Sequence, residues 1–306
     1  MPVERVEDGI ARLRRERRAV ILAHNYQRPE VQDVADVVGD SLELARAAKK
    51  TDARLIVLCG VHFMAETAAI LNPDRKVVIP DRNAGCPMAC MVSAKALKEF
   101  LAPRKTAYVI SYVNTTAEVK AMSDVCCTSS NAEAVVRSAP EGREIVFLPD
   151  RNLGHWVARR TGREMTLWDG HCPTHARILP EFVADARSKH PGAELCVHPE
   201  CAPAVVDMAD FVGSTSQILK HCAESPRRSF IIGTEIGILH GLRKRSPGKE
   251  FFPATPIADC PNMKLITLEK VFWALRDLED EVVVPPDVAA RARAAVERMV
   301  EIARPG

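Results

Sequence analysis

A Cys-Pro dipeptide occurs three times in this chain, at Cys86-Pro87, Cys172-Pro173 and Cys260-Pro261, with separations of 172 − 86 = 86 and 260 − 172 = 88 residues. Other features keep the same period. Runs rich in β-branched residues that end in polar ones recur as VILAHNY (20–26), YVISYVN (108–114) and LCVHPE (195–200). Matching Tyr26, Tyr112 and His198 across them gives 112 − 26 = 86 and 198 − 112 = 86. ADVVGDS, SDVCCTS and ADFVGST end at Ser41, Ser129 and Thr215, spaced 129 − 41 = 88 and 215 − 129 = 86. A third set of apolar runs, RLIVLCG, REIVFLP and SFIIGTE, follows in each unit. A repeat of this length is too long for a solenoid module and long enough for a small domain, and 306 residues exceed what one core usually holds.

Each unit reads as strand, short helix, strand, helix, strand, helix, then the Cys-Pro segment and a closing helix. The apolar runs are continuous rather than alternating, as in parallel strands buried on both faces. SLELARAAKK and SAKALKEFLA carry apolar residues at helical spacing. Asp40-Ser41, Thr128-Ser129 and Ser214-Thr215 offer N-cap chemistry where a chain leaves a strand. The expected fold is α/β, with three homologous three-layer αβα domains, short parallel sheets and a pseudo-threefold axis. The units span 19–104, 105–191 and 192–280. A leading helix over 1–18 and a C-terminal helix within 281–306, packing back on the body, complete the chain.

Charge excludes some partners. The net charge of +2 gives no electrostatic case for nucleic acid or an anionic membrane surface. The basic stretch ARLRRERR (11–18) is interrupted by Glu16 and keeps apolar residues at helical spacing, so it reads as the solvated face of the first helix. No apolar run approaches the ~18 residues that cross a bilayer, and no signal-like segment opens the chain. A cytoplasmic location is expected, where the ten cysteines stay reduced.

Threefold symmetry aims equivalent residues at one centre, so Cys86, Cys172 and Cys260 can present three thiolates together. This outweighs the local spacing of Cys86 and Cys90, which lacks the second cysteine pair of a zinc knuckle. Three thiolates suit a zinc with an open position or a [4Fe–4S] cluster with one iron open. The cluster is favoured, because proline often follows its ligands. The remaining cysteines, 59, 90, 126, 127, 196, 201 and 222, are read as packing, with Cys201 the one placed for more. His24, Tyr26, Tyr112, Asn114, His198 and Glu200 fall at the carboxyl ends of first strands, where α/β proteins bind ligands. Ser41, Ser129 and Thr215 fall at helix N-termini, which favour anions such as a dicarboxylate or a phosphate ester.

Twelve segments together resemble the quinolinate synthase family, the iron–sulfur enzymes of bacterial NAD biosynthesis: LAHNYQ, GDSLELA, GVHFMAETA, AGCPMA, YVNTTAEVKA, CTSSNA, FLPDRNLG, CPTH, HPEC, GSTSQI, GTEIG and CPNMKLITLEK. The resemblance covers nearly the whole chain. It implies condensation of iminoaspartate with dihydroxyacetone phosphate to quinolinate, with loss of phosphate and two waters. It also implies a [4Fe–4S] cluster on Cys86, Cys172 and Cys260, and an L-aspartate oxidase as supplier of the imine. By motif, His24, Ser41, Tyr112, Val113, Asn114, Ser129, His198, Pro199, Glu200 and Thr215 match substrate-binding positions. Tyr26 and Glu200 match residues of proton transfer, with His198 beside them. The segment LWDGHCPTH departs from the family pattern at Asp169 and His171, and His171 is read as outside the metal shell. ADCPNMK lacks the extra cysteines that some relatives carry there, which argues against a C-terminal redox disulfide. The rival readings are a zinc-dependent lyase or hydrolase on the same cysteines and a non-enzymatic iron–sulfur sensor.

Overall fold

The structure, a computed structural model, describes residues 5–302. The outermost parts of the expected terminal helices, 1–4 and 303–306, lie outside the described residues. Three four-stranded parallel sheets follow one another along the chain. The first holds β1 (Ala19–His24), β2 (Val37–Gly39), β3 (Leu55–Cys59) and β4 (Lys76–Val78). The second holds β5 (Tyr108–Tyr112), β6 (Val125–Cys127), β7 (Ile145–Leu148) and β8 (Thr166–Leu167). The third holds β9 (Glu194–Val197), β10 (Phe211–Val212), β11 (Ser229–Gly233) and β12 (Glu250–Pro253). Their orders are β2-β1-β3-β4, β6-β5-β7-β8 and β10-β9-β11-β12, the same topology three times. The expected αβα repeat is therefore present. Each sheet also has a fourth strand just before the Cys-Pro segment, which the sequence reading did not include. Those strands are short, two to four residues, and although KVV and EFFP are apolar, such brief runs do not announce a strand by themselves.

The central strands β3, β5 and β7 are buried along their whole length, which explains their unbroken apolar sequence. Strand pairing corrects one equivalence. Asp36, Asp124 and Asp210 each accept a hydrogen bond from the first-strand N–H of Ile21, Val109 and Leu195, at 2.9, 2.8 and 2.8 Å. The backbone N–H of each Asp returns to the carbonyl of the same residue. Counting from these anchors, the first repeat step is 109 − 21 = 88 residues and the second is 195 − 109 = 86. Tyr112 and His198 are thus the counterparts of His24, not of Tyr26. Tyr26, Asn114 and Glu200 form the next equivalent set.

The helix Ser41–Lys50 is capped by Asp40 in a reciprocal capping box with Glu43, and Thr215–Glu224 by Ser214 with Gln217. The second unit departs from this. Thr128 and Ser129 lie in a turn, and the helix Ala132–Arg137 starts only after Asn131, whose carboxamide oxygen is taken by the N–H and hydroxyl of Thr128. The three polar starts still meet: Ser130 Oγ donates to Asp40 and lies 2.8 Å from Ser214 Oγ. The long helix Pro286–Ile302 crosses the first two units and buries Val288, Ala292, Ala295, Val296 and Met299. Burying a valine or methionine side chain contributes about 1.5–3 kcal/mol each. Side chains from both units fasten it, with Arg46 and Asn131 donating to the carbonyls of Val300 and Met299.

Candidate functional site

The carboxyl ends of the first strands of all three sheets open into one cavity. Its wall includes Cys86, Cys172 and Cys260, so the repeat does bring the three Cys-Pro cysteines to one place. Each is half-buried and precedes a short 3₁₀ turn: Pro87–Met91, His175–Arg177 and Met263–Leu265. The backbone N–H groups of Ala89, His175 and Met263, each three residues on, favour the thiolate of the respective cysteine. Burial pushes the Cys86 thiol up to about 12 and raises Cys172 and Cys260 as well, and charge on Cys260 opposes charge on Cys86. Three soft donors that resist deprotonation alone, yet have backbone N–H groups near enough to favour the thiolate, fit a cationic metal centre.

Cys90 was expected to pack, and it is exposed instead. In the three-residue period of its turn, Met88 and Ala89 take the buried positions and Cys90 falls on the outer side. Cys59, Cys126, Cys127, Cys196, Cys201 and Cys222 are buried as expected. Cys201, the one placed for more, is an interior thiol donating to the Gly233 carbonyl at 3.4 Å. His171 is half-buried with its backbone N–H on Met91 Sδ, and Asp169 pairs with Arg151 on the surface.

Of the remaining expected residues, His24, Tyr26, Ser41, Tyr112, Asn114, Ser129, His198, Glu200 and Thr215 all line the cavity. Val113 and Pro199 are buried but do not form its wall. In a strand-like segment, successive side chains point to opposite sides, and their neighbours take the inward positions. Contacts at and beside the cavity wall run from unit to unit. Asn25 Nδ2 donates to Thr215 Oγ1 at 3.0 Å, linking the first unit to the third. His198 Nε2 meets Ser129 Oγ at 3.1 Å, linking the third to the second. From the second unit, Asn114 Oδ1 points into the interior with no partner among the described residues.

Two histidines repeat one geometry. Nδ1 of His24 accepts the N–H of Tyr26 at 3.1 Å, and Nδ1 of His198 accepts that of Glu200 at 3.3 Å. Each ring therefore carries its proton on Nε2. Burial drives the two imidazoles down, to about 4 for His24 and about 3 for His198, so both are neutral donors near pH 7. Glu200 behaves differently. Its burial opposes charge, but His175, His198 and the Tyr112 hydroxyl outweigh that and hold it at about 2. Burial raises Tyr26 and Tyr112, and Glu200 raises them further, so both keep their protons.

Sequence reasoning missed the residue that joins these groups, His175. Its ring is 1% exposed. Nδ1 lies 2.8 Å from Glu200 Oε2 and 3.1 Å from Cys172 Sγ. Nε2 lies 2.7 Å from Thr234 Oγ1, which is 2.6 Å from the Tyr26 hydroxyl. Glu200 and Tyr26 are thus connected through His175 and Thr234. Glu235 was missed too. It is completely buried, paired with Lys264 at 2.9 Å, and accepts the N–H of Cys260 at 3.1 Å. The signal was in hand: His175 ends CPTH, and Thr234-Glu235 stands at the carboxyl end of β11 in GTEIG. Both stand outside the first-strand ends to which the repeat draws attention. Cys172, His175 and Glu200 offer donor atoms within 4.8 Å of one another and could themselves hold a metal ion.

Comparison with known proteins decides the family. The family model described as quinolinate synthetase A protein matches residues 8–301. The chain belongs to the quinolinate synthase family. It is 54% identical over 293 residues to the quinolinate synthase of Desulforudis audaxviator, covering 96% of this chain and 97% of that one. It is 50% identical over 304 residues to that of Geobacter metallireducens, with 99% and 100% covered. Against that of Methanoregula boonei the figures are 52% over 297 residues, with 97% and 98% covered. Membership of an enzyme family removes the reading as a non-enzymatic sensor. No helix among the described residues is long and apolar enough to cross a membrane.

Proposed function

We propose that the chain condenses iminoaspartate with dihydroxyacetone phosphate to quinolinate, releasing phosphate and two waters. The observation that carries this reading is the buried chain of contacts from Glu200 through His175 and Thr234 to Tyr26, set beside Cys172. Cys86, Cys172 and Cys260 would hold a [4Fe–4S] cluster, which with three thiolate ligands keeps one iron open and supplies Lewis acidity toward a substrate oxygen. Glu200, ionised, is the general base that removes a carbon-bound proton. Tyr26, protonated, is the donor on the other side of the network, and His175 with Thr234 carries a proton between them. His24 and His198, neutral with N–H inward, orient carboxylate oxygens. Asn114 and the hydroxyls of Ser41, Ser129 and Thr215 bind the rest of the substrate skeleton, with Tyr112 holding Glu200 in place. The units 19–104, 105–191 and 192–280 act as three homologous domains around this centre. The enzyme works in the cytoplasm, and an L-aspartate oxidase supplies the unstable imine.

The test is direct. Protein purified without oxygen should contain about four iron and four sulfide per chain. It should form quinolinate from dihydroxyacetone phosphate and imine generated in situ by an aspartate oxidase. Cluster-loaded protein that forms none overturns the reaction. The second reading is the zinc-dependent lyase or hydrolase on the three Cys-Pro cysteines, and the donor group of Cys172, His175 and Glu200 gives it an additional candidate ligand set. Stoichiometric zinc in colourless, active protein would establish it.

A further inference from the structure

We infer that Arg177 receives the phosphate of the three-carbon substrate at the mouth of the cavity. The inference rests on the proposed reaction, because it needs a phosphorylated substrate. A phosphate ester and a dicarboxylate together bring about four negative charges into one site near pH 7. Fixed positive charge is scarce there. Among the described residues, Arg177 is the only lysine or arginine in the cavity wall, against three carboxylates, Asp40, Glu200 and Glu235. Lys264, just behind the wall, is committed to Glu235 and to the Tyr26 carbonyl. His24 and His198 are neutral.

Helix N-termini offer less than a full set of N–H groups. At the start of Ser41–Lys50, the N–H groups of Leu42 and Glu43 already bond to the Asp40 carboxylate. At Thr215–Glu224, the N–H of Gln217 is taken by Ser214. Neutral donors remain for carboxylates, but a dianionic phosphate calls for a cation with several N–H groups, and a guanidinium fork matches phosphate oxygens.

The position of Arg177 suits the task. It is exposed, and no carboxylate among the described residues lies within ion-pair distance of it. Its backbone is not free to wander: the N–H of Arg177 bonds to the Thr174 carbonyl at 3.2 Å, closing the turn that begins at Cys172. The turn directs buried His175 toward Glu200 while Arg177, two residues on, stands where the cavity meets solvent. Phosphate is the group that must leave, and a phosphate held at the solvent edge can depart without crossing the interior. A cation at the rim also raises the local concentration of anionic substrate.

The same guanidinium could instead take a carboxylate of the imine, and the experiment separates the two. Wild-type, Arg177→Gln and Arg177→Lys proteins are prepared with equal iron content, and the wild type is first shown to form quinolinate. Failure at that step overturns the proposed reaction rather than the role of Arg177. The Gln variant should raise KM for dihydroxyacetone phosphate about tenfold to a hundredfold while leaving KM for the imine unchanged, and the Lys variant should recover part of the loss. Independently of turnover, binding of inorganic phosphate measured by calorimetry should weaken at least tenfold in the Gln variant. Unchanged phosphate affinity overturns the inference. A KM increase confined to the imine also overturns it, by placing a carboxylate at this position.

Discussion

Glu200 is a carboxylate buried to within 4% of full enclosure, yet its partners hold it ionised. Replacing it with glutamine keeps the shape and removes the charge. Glu200→Gln should retain iron and sulfide while quinolinate formation falls by at least a hundredfold, in line with the usual size of general-base effects. Turnover within a few-fold of wild type would remove Glu200 as the base. His24 and His198 make a separate demand on stability. Their folded-state values lie below the ordinary imidazole value of 6.5, so the unfolded chain takes up protons first as pH falls. Their contribution is complete above pH 6.5 and declines as pH drops toward about 4 for His24 and about 3 for His198. Each costs about 1.4 kcal/mol per pH unit in that window. Urea unfolding at roughly pH 7.5 and roughly pH 5.5 should show this loss, and His24→Gln should reduce it. An equal pH slope in the variant would contradict the neutral, buried state of this ring.

Elements set where those side chains point. Ser214 caps the helix Thr215–Glu224 and also contacts Ser130 of the second unit. Ser214→Ala should therefore lower stability by about 1 kcal/mol for the cap alone, read from the urea midpoint. Gly237 is needed for a different reason. A Cβ there would sit 2.5 Å from the Tyr26 carbonyl oxygen and 2.7 Å from Lys264 Nζ, closer than atoms pack. Gly237→Ala should leave the circular-dichroism spectrum intact but displace the Tyr26 segment, reducing activity more than tenfold. Wild-type activity would mean that this close approach is not required. At this scale the sequence was legible where local chemistry decides. The caps at Asp40-Ser41 and Ser214-Thr215 were readable, and so were the buried strands; their capping-box partners Glu43 and Gln217 came from the structure. Thr128 does accept the Ser130 N–H on its hydroxyl, with Asn131 accepting the Thr128 N–H in return, but the regular helix starts only at Ala132, an offset that spacing alone does not reveal. The fourth strands were not readable, because runs of two to four residues are too short to declare a strand before they pair with a neighbour.

For the whole molecule, threefold repetition makes three short segments into one centre. Changing any one of Cys86, Cys172 or Cys260 to serine should lower iron and sulfide content well below the wild type, whereas Cys90→Ser should leave both unchanged. Cluster retention in all three single variants would refute the assignment of ligands. Exposure of Cys90 makes it a cleaner control than a packed residue would have been, because its replacement leaves no cavity.

Periodicity along the chain determined the fold class, the threefold repeat and the triad Cys86, Cys172 and Cys260, because those depend on which residues recur and how far apart. It also placed His24, Tyr26, Tyr112, Asn114, His198 and Glu200 at strand ends, where the cavity wall does contain them. What only the tertiary structure decided is which of these groups touch. The match of His24 to Tyr112 and His198 followed from the Asp36, Asp124 and Asp210 anchors. The link from Glu200 to Tyr26 runs through His175 of the second unit and Thr234 of the third, residues far apart in the chain. A one-dimensional pattern records which faces are buried. The short-range geometry of hydrogen bonds between units is set when the three sheets close around their common centre.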